Sequence, residues 1–369
     1  MSPRKIAAAM PAAAPRLDLS GAGVRHARAM HAPAPGLDPH ASHTGESGAI
    51  DPWIELLAAL GLDPHALWPA AVALDFVGDQ WTPFAPPHDE LRALYGIDVR
   101  ALTVWRPLAE HAIEQLSAGR PLRVDVDAFW LPDSAGHHRD HSKTTIVINE
   151  VDLDARRIAY FHAAGYFEAR GDAVTHLLGL EDDTSDLEAI ADWRGSRVAE
   201  VGAAAVALAE GQLAPHAEIV RIDRRLARST EELQMLALHH LGNHLAFRPA
   251  TNPVRRFAER LADDLPLLRD YGTGYAGQWA SVTLRRLVAA CEFVARGLAW
   301  QEAGAGSTLH AAAQAFERIV RDGSALDAKL QRALASTKAA GMAPLLDGVA
   351  NAWDDGMAAL EAACRSCGR

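Results

Sequence analysis

Residues 121–168 read PLRVDVDAFWLPDSAGHHRDHSKTTIVINEVDLDARRIAYFHAAGYFE. Apolar side chains alternate with charged ones from Leu122 to Ala128, which is the period of two expected of a half-buried strand. A polar loop rich in His, Asp and Gly follows at 133–141. The stretch therefore predicts a strand that is followed directly by a polar loop.

Two further strands are predicted beyond this loop. The β-branched run at 144–148 indicates one of them, and residues 157–161 indicate the other, after a polar turn at 152–156. His141 then stands just before one strand, and His162 at the end of the next. A His beside a second polar side chain across a strand pair is how several enzyme folds build a base and its orienting group.

Composition and charge exclude several classes of protein. The chain has 369 residues and a net charge of −11 with His neutral, without any Lys/Arg-rich run, so we expect neither nucleic acid nor a membrane as a partner. No apolar stretch approaches the roughly 18–20 residues that span a bilayer. Three cysteines do not make a disulfide framework, and we expect a reducing cytoplasm.

The sequence predicts an α+β protein in four segments. Residues 1–45 are Ala/Pro-rich and indicate a disordered leader, residues 46–227 an α/β domain, residues 228–363 a helical bundle, and residues 364–369 a tail.

Local signals place the main helices and one more strand. Asp51 followed by Pro52 is typical of a helix start, and the capping-box pattern Ser229–Glu232 opens the first bundle helix. The remaining expected elements are a helix at 198–210, a strand at 218–222, and bundle helices beginning after Asn252 and at 276–301, 307–321, 324–336 and 343–363.

Several short segments in one order resemble an uncharacterised bacterial family encoded near amino acid:carrier-protein ligases and small acyl carrier proteins. They are DPWIELL (51–57), DFVGDQW (75–81), LYGI (94–97), VDAFWLPD (126–133), HSKTTI (141–146), YFH (160–162), RPATNP (248–253), TLRR (283–286) and EF (292–293). More distantly, the alternating strand, polar loop, His and next strand are similar to the butirosin-type acyltransferases. That resemblance implies a papain-like fold for residues 46–227, and acyl transfer from a carrier-protein thioester to an amine.

The resemblance also implies a catalytic Cys at the amino end of the first helix, where the helix dipole favours a thiolate. This chain departs from that pattern. Ser47 and Gly48 hold the two places where the family has Asn-Cys, and no Cys precedes Cys291. Ala163 follows Tyr-Phe-His, where the family tends to have Asn.

Four residues are candidates for catalysis. His141 is the candidate general base, Asp127 the candidate carboxylate, His162 a candidate orienting group, and Gln80 a candidate hydrogen-bond donor to a carbonyl or oxyanion. Each also has an ordinary structural interpretation, such as a surface His, a solvated strand carboxylate or a loop-fixing amide. The candidate substrate-binding residues are Ser47, Gly48, Asp51, Trp53, Asp79, Trp81 and Lys143.

A metal site is a weaker interpretation of the loop. Its imidazoles and carboxylates cluster in sequence, but neighbouring side chains of a Gly-flanked loop point in different directions, so we expect no bound metal. The cluster is His137, His138, Asp140, His141 and His162. On a later helix, His239, His240 and His244 are interpreted as interfacial residues because the metalloprotease Glu is absent between them.

Three hypotheses for function follow from these residues and the resemblance. The first is acyl or aminoacyl transfer from a carrier-protein phosphopantetheine thioester to a small-molecule amine, without a protein thiol or any bound cofactor. The second is a non-catalytic relative that binds the aminoacylated carrier protein. The third is a metal-dependent hydrolase.

Overall fold

The structure, a computed structural model, describes residues 25–30, 51–82, 84–104, 107–134, 136–139, 141, 143–162, 165–180, 217–223, 225–305, 309–335 and 341–367. These residues fall into two compact units. The described parts of Met1–Leu37 and Val99–Arg221 form the first unit, and those of Asp38–Asp98 and Ile222–Arg369 form the second.

In chain order the strands are β1 (His26–Arg28), β2 (Phe76–Val77), β3 (Gln80–Trp81), β4 (Ile97–Leu102), β5 (Leu122–Asp127), β6 (Lys143–Asp152), β7 (Arg157–His162), β8 (Gly165–Arg170) and β9 (Ala217–Ile222). The α-helices are α1 (Asp51–Ala59), α2 (His88–Tyr95), α3 (Leu108–Ser117), α4 (Asp172–Leu178), α5 (Thr230–Phe247), α6 (Pro253–Asp270), α7 (Thr273–Ala305), α8 (His310–Ala335) and α9 (Ala343–Cys367). Short 3-10 helices occupy Pro64–Ala73 and Ala128–Trp130.

The first unit is built on a seven-stranded sheet in the order β4-β9-β5-β6-β7-β8, with β1 beside the second half of β6. Strand β5 pairs antiparallel with both β9 and β6, and the pairs β6–β7 and β7–β8 are also antiparallel. The mixed α+β class predicted from the sequence is therefore confirmed.

The alternation in β5 decides which face of the sheet is buried. Every second side chain from Leu122 to Val126 is buried, as the sequence pattern predicts. These residues pack with the even-numbered side chains at the start of β6 and with alternate residues of β7, and helix α3 contacts this part of the sheet. The residues that share this core include Val124, Ile146, Ile148, Ile158, Tyr160, Ala112 and Leu116.

Strand β1 lies within the segment for which the sequence predicted disorder, so that prediction is wrong for residues 25–30. The Glu150 side chain on β6 is only 2% exposed, and a buried carboxylate needs cationic partners. Arg28 of β1 and Arg157 of β7 supply two such partners, and His26 Nε2 of β1 lies 2.9 Å from Glu150 Oε1. A pairing across more than a hundred residues leaves no local signal in the sequence.

The second unit contains the helical bundle. Helices α7, α8 and α9 pack in succession, and α6 packs against α9. The 3-10 helix Pro64–Ala73 is buried against α5 and α7, so residues 51–98 group with the bundle. This grouping differs from the predicted boundary at residue 227. The contacts between these early residues and the bundle join residues far apart in sequence, so the local pattern does not indicate them.

Several local predictions are confirmed. Ser229 accepts a hydrogen bond from Glu232 N–H at 3.2 Å while the Glu232 carboxylate accepts from Ser229 N–H at 2.8 Å, which is the complete capping box. The predicted strand at 218–222 is β9, and the predicted helix at 343–363 is α9, which continues to Cys367. The predicted helix at 198–210 lies outside the described residues.

One prediction in the bundle is wrong. The sequence indicated two helices that meet near Ser324, but α8 runs without interruption through this position. The Ser324 hydroxyl donates to the Val320 carbonyl at 2.8 Å, four residues earlier in the same helix. A Ser that bonds backward in this way tolerates the helix interior and does not cap a new helix.

None of the helices within the described ranges combines the length and the apolar character needed to cross a membrane.

Close packing at Gly297 gives the first testable prediction. An added Cβ at Gly297 of α7 meets the Trp68 Cβ at 2.1 Å, whereas at Gly242 of α5 no atom lies within 4 Å. We expect Gly297→Ala to lower the free energy of unfolding by about 3 kcal/mol, because the Trp68 Cβ is fixed to the backbone and cannot move aside. Gly242→Ala, the control, is expected to raise it by about 0.5–1 kcal/mol through helix propensity. Urea unfolding of both variants measures this, and equal effects would contradict the packing.

Candidate functional site

In the first unit, the end of β5, the start of β6 and the end of β7 lie side by side at one end of the sheet. Asp127 at the end of β5 pairs with Lys143 at the start of β6. Because β6 and β7 are antiparallel, His162 at the end of β7 lies beside the beginning of β6. His141 lies two residues before β6. Four of the predicted site residues are thus brought to one end of the sheet.

His141 is held by Asp127. The His141 Nδ1 and Asp127 Oδ2 atoms are 2.5 Å apart, and the Phe129 ring stacks on the imidazole with centroids 4.3 Å apart and planes 11° apart. Asp127 Oδ1 also accepts from Phe129 N–H at 3.0 Å, so one carboxylate caps the short 3-10 helix and holds the imidazole. The His141 side chain is 41% exposed, so part of this imidazole is accessible to solvent.

His162 belongs to a second, more buried group. Its Nδ1 lies 2.5 Å from Asp133 Oδ2, and its Nε2 lies 2.8 Å from Thr144 Oγ1. The Tyr160 hydroxyl donates to Asp133 Oδ1 at 2.6 Å. Burial, followed by the nearby Asp133 charge, raises the pKa of Tyr160 far above its ordinary value, so Tyr160 remains a donor. Sequence analysis identified His162 but missed Asp133 and Thr144, which only the fold brings to it.

Lys143 and Asp125 form a separate ion pair on the face of β5 and β6 that is opposite to Thr144. Their Nζ and Oδ2 atoms are 2.9 Å apart, and the Thr145 hydroxyl donates to Asp125 Oδ1 at 2.7 Å. Burial opposes ionisation of Asp125, but the hydrogen bonds from Thr145 and Lys143 together hold its pKa below the ordinary value. Asp125 is therefore a carboxylate already engaged within the sheet.

The other predicted site residues belong to the second unit or are not described. Trp53 and Trp81 are 3% and 2% exposed, and the Trp81 ring packs against those of Phe76 and Phe257, so both tryptophans contribute to the core of that unit. Asp79 and Gln80 are exposed in the β2–β3 hairpin. Asp51 begins α1. Ser47, Gly48 and Ala163 lie outside the described residues.

The histidines of the loop take part in aromatic and backbone contacts. His137 Nδ1 lies 3.1 Å from the Phe129 carbonyl, and His176 of α4 stacks on Trp130 with centroids 3.4 Å apart. These rings line a pocket of about 450 Å³ formed by Trp130, Pro132, His137, His138, Arg170, Asp172, Ala173 and His176. Within the described residues, no three His, Cys, Asp or Glu side chains are grouped as metal ligands.

The helix histidines of the second unit contact a buried carboxylate. His244 Nε2 lies 2.5 Å from Glu90 Oε1 of α2, and His240 Nδ1 lies 3.5 Å from the same oxygen. Burial lowers the pKa of His240, and the Glu90 charge opposes this effect. His240 and His244 are therefore residues of α5 that face α2.

Comparison with known families covers most of the chain. Residues 39–192 match the model of the DUF1839 N-terminal domain, and residues 230–362 match the model of the DUF1839 C-terminal domain. No curated protein matches the chain.

Glu55 of α1 is a buried acid that sequence analysis did not single out. Its side chain is 7% exposed, and it makes no hydrogen bond or ion pair with the described residues. Burial alone raises its pKa from 4.5 to about 7. The folded state therefore favours the neutral acid.

This shifted pKa gives the second testable prediction. The folded-state pKa exceeds the unfolded value, so the stabilising contribution is complete below about pH 4.5 and is lost as the pH rises through about 7. Glu55→Gln keeps the group neutral, and we expect it to raise the free energy of unfolding by about 1–2 kcal/mol at about pH 8, after allowing for partial solvent screening. Denaturant titrations across this pH range measure it, with Glu259→Gln on the exposed surface of α6 as the control. A Glu55→Gln stability profile as steep as that of the wild type would contradict the assignment.

Proposed function

This chain belongs to the DUF1839 family, and we propose that it transfers an acyl or aminoacyl group from a carrier-protein phosphopantetheine thioester to an amine. The observation that carries this proposal is the His141–Asp127 pair, an exposed imidazole whose Nδ1 is held by a carboxylate. A carboxylate accepts hydrogen bonds only, so it favours the tautomer with hydrogen on Nδ1 and the lone pair on Nε2. That is the state of a general base.

The proposed reaction needs one proton transfer. The amine nitrogen attacks the thioester carbonyl carbon, the C–N bond forms and the C–S bond breaks. His141 Nε2 takes a proton from the attacking nitrogen, and the departing thiolate is protonated to the thiol. Because a thioester is already activated, positioning of the amine and removal of its proton are the main contributions asked of the protein.

We propose a papain-like arrangement for the first part of the chain. An antiparallel sheet with a His just before one strand supports it. The family that this chain resembles carries its nucleophile just before the segment DPWIELL, at the places where this chain has Ser47 and Gly48. The proposed setting is the cytoplasm, in the biosynthesis of a natural product by a bacterium. No resident cofactor is part of the proposal, because the carrier protein delivers the phosphopantetheine.

A non-catalytic protein that binds an aminoacylated carrier is the second candidate. It is favoured by the absence of a Cys before Cys291 and by the burial of Cys291 itself, which is 1% exposed. Burial raises the pKa of the Cys291 thiol well above its ordinary value, so this residue does not replace the missing thiolate. A metal-dependent hydrolase, the third candidate, requires ligands beyond any set formed by the described residues.

The first experiment compares these functions directly. A carrier protein loaded with glycine or alanine is incubated with the protein and a panel of amines, and intact mass spectrometry follows loss of the acyl group and formation of the amide. Acyl loss with matching amide, and amide formation that is abolished in His141→Ala, supports transfer. Carrier binding without acyl loss supports the second candidate. Acyl loss without amide that depends on added zinc or iron supports the third.

The Asp127 carboxylate gives the third testable prediction. Asp127→Asn retains an oxygen for the Phe129 N–H, but its NH₂ group faces His141 Nδ1 and favours the opposite tautomer, with hydrogen on Nε2. We expect the rate of amide formation to fall at least about 100-fold while the protein stays folded. Asp125→Asn, two residues earlier on β5, is the matched control and is expected to stay within about threefold of wild type. Equal losses in both variants would argue for a general effect on the sheet.

A further inference from the structure

The buried group around His162 has the connectivity of a hydroxyl–imidazole–carboxylate triad. Thr144 Oγ1 lies 2.8 Å from His162 Nε2, and Asp133 Oδ2 lies 2.5 Å from His162 Nδ1. The two ring nitrogens thus contact a hydroxyl and a carboxylate on opposite sides of the ring. This is the order in which a nucleophile, its base and an orienting acid are linked in acyl-transfer enzymes on unrelated folds.

The direction of each hydrogen bond follows from chemistry. Asp133 accepts from the Tyr160 hydroxyl through one oxygen and lies against His162 through the other. An ionised carboxylate cannot donate a hydrogen bond. The hydrogen shared with Asp133 is therefore carried by Nδ1 of His162. In the neutral ring Nε2 is then the acceptor, and the Thr144 hydroxyl donates to it. The proton of Thr144 therefore already points at the base that would remove it.

The position of Thr144 is compatible with reaction. Its side chain is half-buried on β6, whereas the Asp133 and His162 side chains are 8% and 11% exposed. Next to His162, an added Cβ at Gly165 would meet the Phe167 ring at 2.5 Å, so this glycine lets the aromatic ring lie close to the strand end. The triad therefore has a partly exposed hydroxyl and two well-buried supporting groups.

We propose that Thr144 is a nucleophile that receives the acyl group as a covalent ester, with His162 as its base and Asp133 as the positioning residue. This inference rests on the proposed acyl transfer and adds an intermediate to it. The acyl donor is a thioester, and the acceptor of the first step is the protein itself.

The first step forms a C–O bond and breaks the C–S bond. Thr144 Oγ1 attacks the carbonyl carbon, its proton passes to His162 Nε2, and His162 gives this proton to the departing thiolate. The products are the Thr144 ester and a thiol. In the second step the amine attacks the ester carbonyl, so the C–N bond forms and the C–O bond breaks. His141 takes the proton of the amine and releases it to water, and the Thr144 oxygen recovers a proton from water through His162.

The test is the fourth prediction and uses the full chain with an acetyl thioester of N-acetylcysteamine and with an acetyl-loaded carrier protein. We expect His141→Ala to accumulate one acetyl group per protein, located at Thr144 by peptide mass spectrometry, because the second step is blocked. Thr144→Val is expected to form no adduct and to lose at least about 100-fold in amide formation. Thr144→Ser retains the hydroxyl and is expected to retain the adduct.

Thr145→Val is the matched control. Thr145 is adjacent on β6, faces the opposite side of the sheet and donates to a carboxylate, that of Asp125. We expect its adduct formation and amide formation to stay within about threefold of wild type. The location of the adduct in His141→Ala does not require Thr144→Val to fold, so the test is decisive even if the Val variant is unstable.

The outcomes separate this inference from the function on which it rests. Amide formation at the wild-type rate in Thr144→Val, or no adduct at residue 144 in His141→Ala, overturns the Thr144 intermediate and leaves direct transfer in place. An adduct at Thr144 without amide from any amine supports the nucleophile and overturns transfer to an amine. Neither adduct nor amide with the wild-type protein overturns both.

Discussion

The register of β6 against β5 and β7 is the constraint on which the site depends. Successive side chains of a strand point to opposite faces, so a slip of one residue would exchange Thr144 with Thr145. In the observed register Thr144 lies on the face that carries Ile146 and Ile148 and reaches His162. Thr145 points the other way and reaches Asp125. The buried apolar face opposes a shift of one residue, because that shift would expose it to water.

Two carboxylates then hold two histidines in different surroundings. Asp127 orients the exposed His141 and caps the chain beyond β5, while Asp133 joins His162 to Tyr160 in a buried group. Both acids contact Nδ1, which favours the tautomer with hydrogen on Nδ1 in each imidazole. In the proposed reaction these surroundings separate the two roles, since an exposed imidazole suits an acceptor that arrives from solution and a buried one suits a nucleophile of the protein itself.

Much of the fold could be predicted because its signals are local. The alternation at Leu122–Asp127 gave a strand, and the capping box at Ser229 gave the start of a helix. Strand β1 could not be predicted, because it depends on the pairing of Arg28 and His26 with the buried Glu150. The continuous helix α8 was also missed, since a Ser that caps a helix and one that bonds backward within it look alike in sequence.

For the site, the sequence by itself determined the types of group available. It gave His141 and His162 beside predicted strands, Asp127 at a strand end, and no cysteine at the amino end of the first helix. Only the tertiary structure decided which of these groups touch. The loop after β5 returns Asp133 to His162 across 29 positions of the chain, and the antiparallel pairing brings Thr144 to the same imidazole. Spacing along the chain does not encode such contacts, because burial of the sheet's apolar face sets the register and the register sets the contacts.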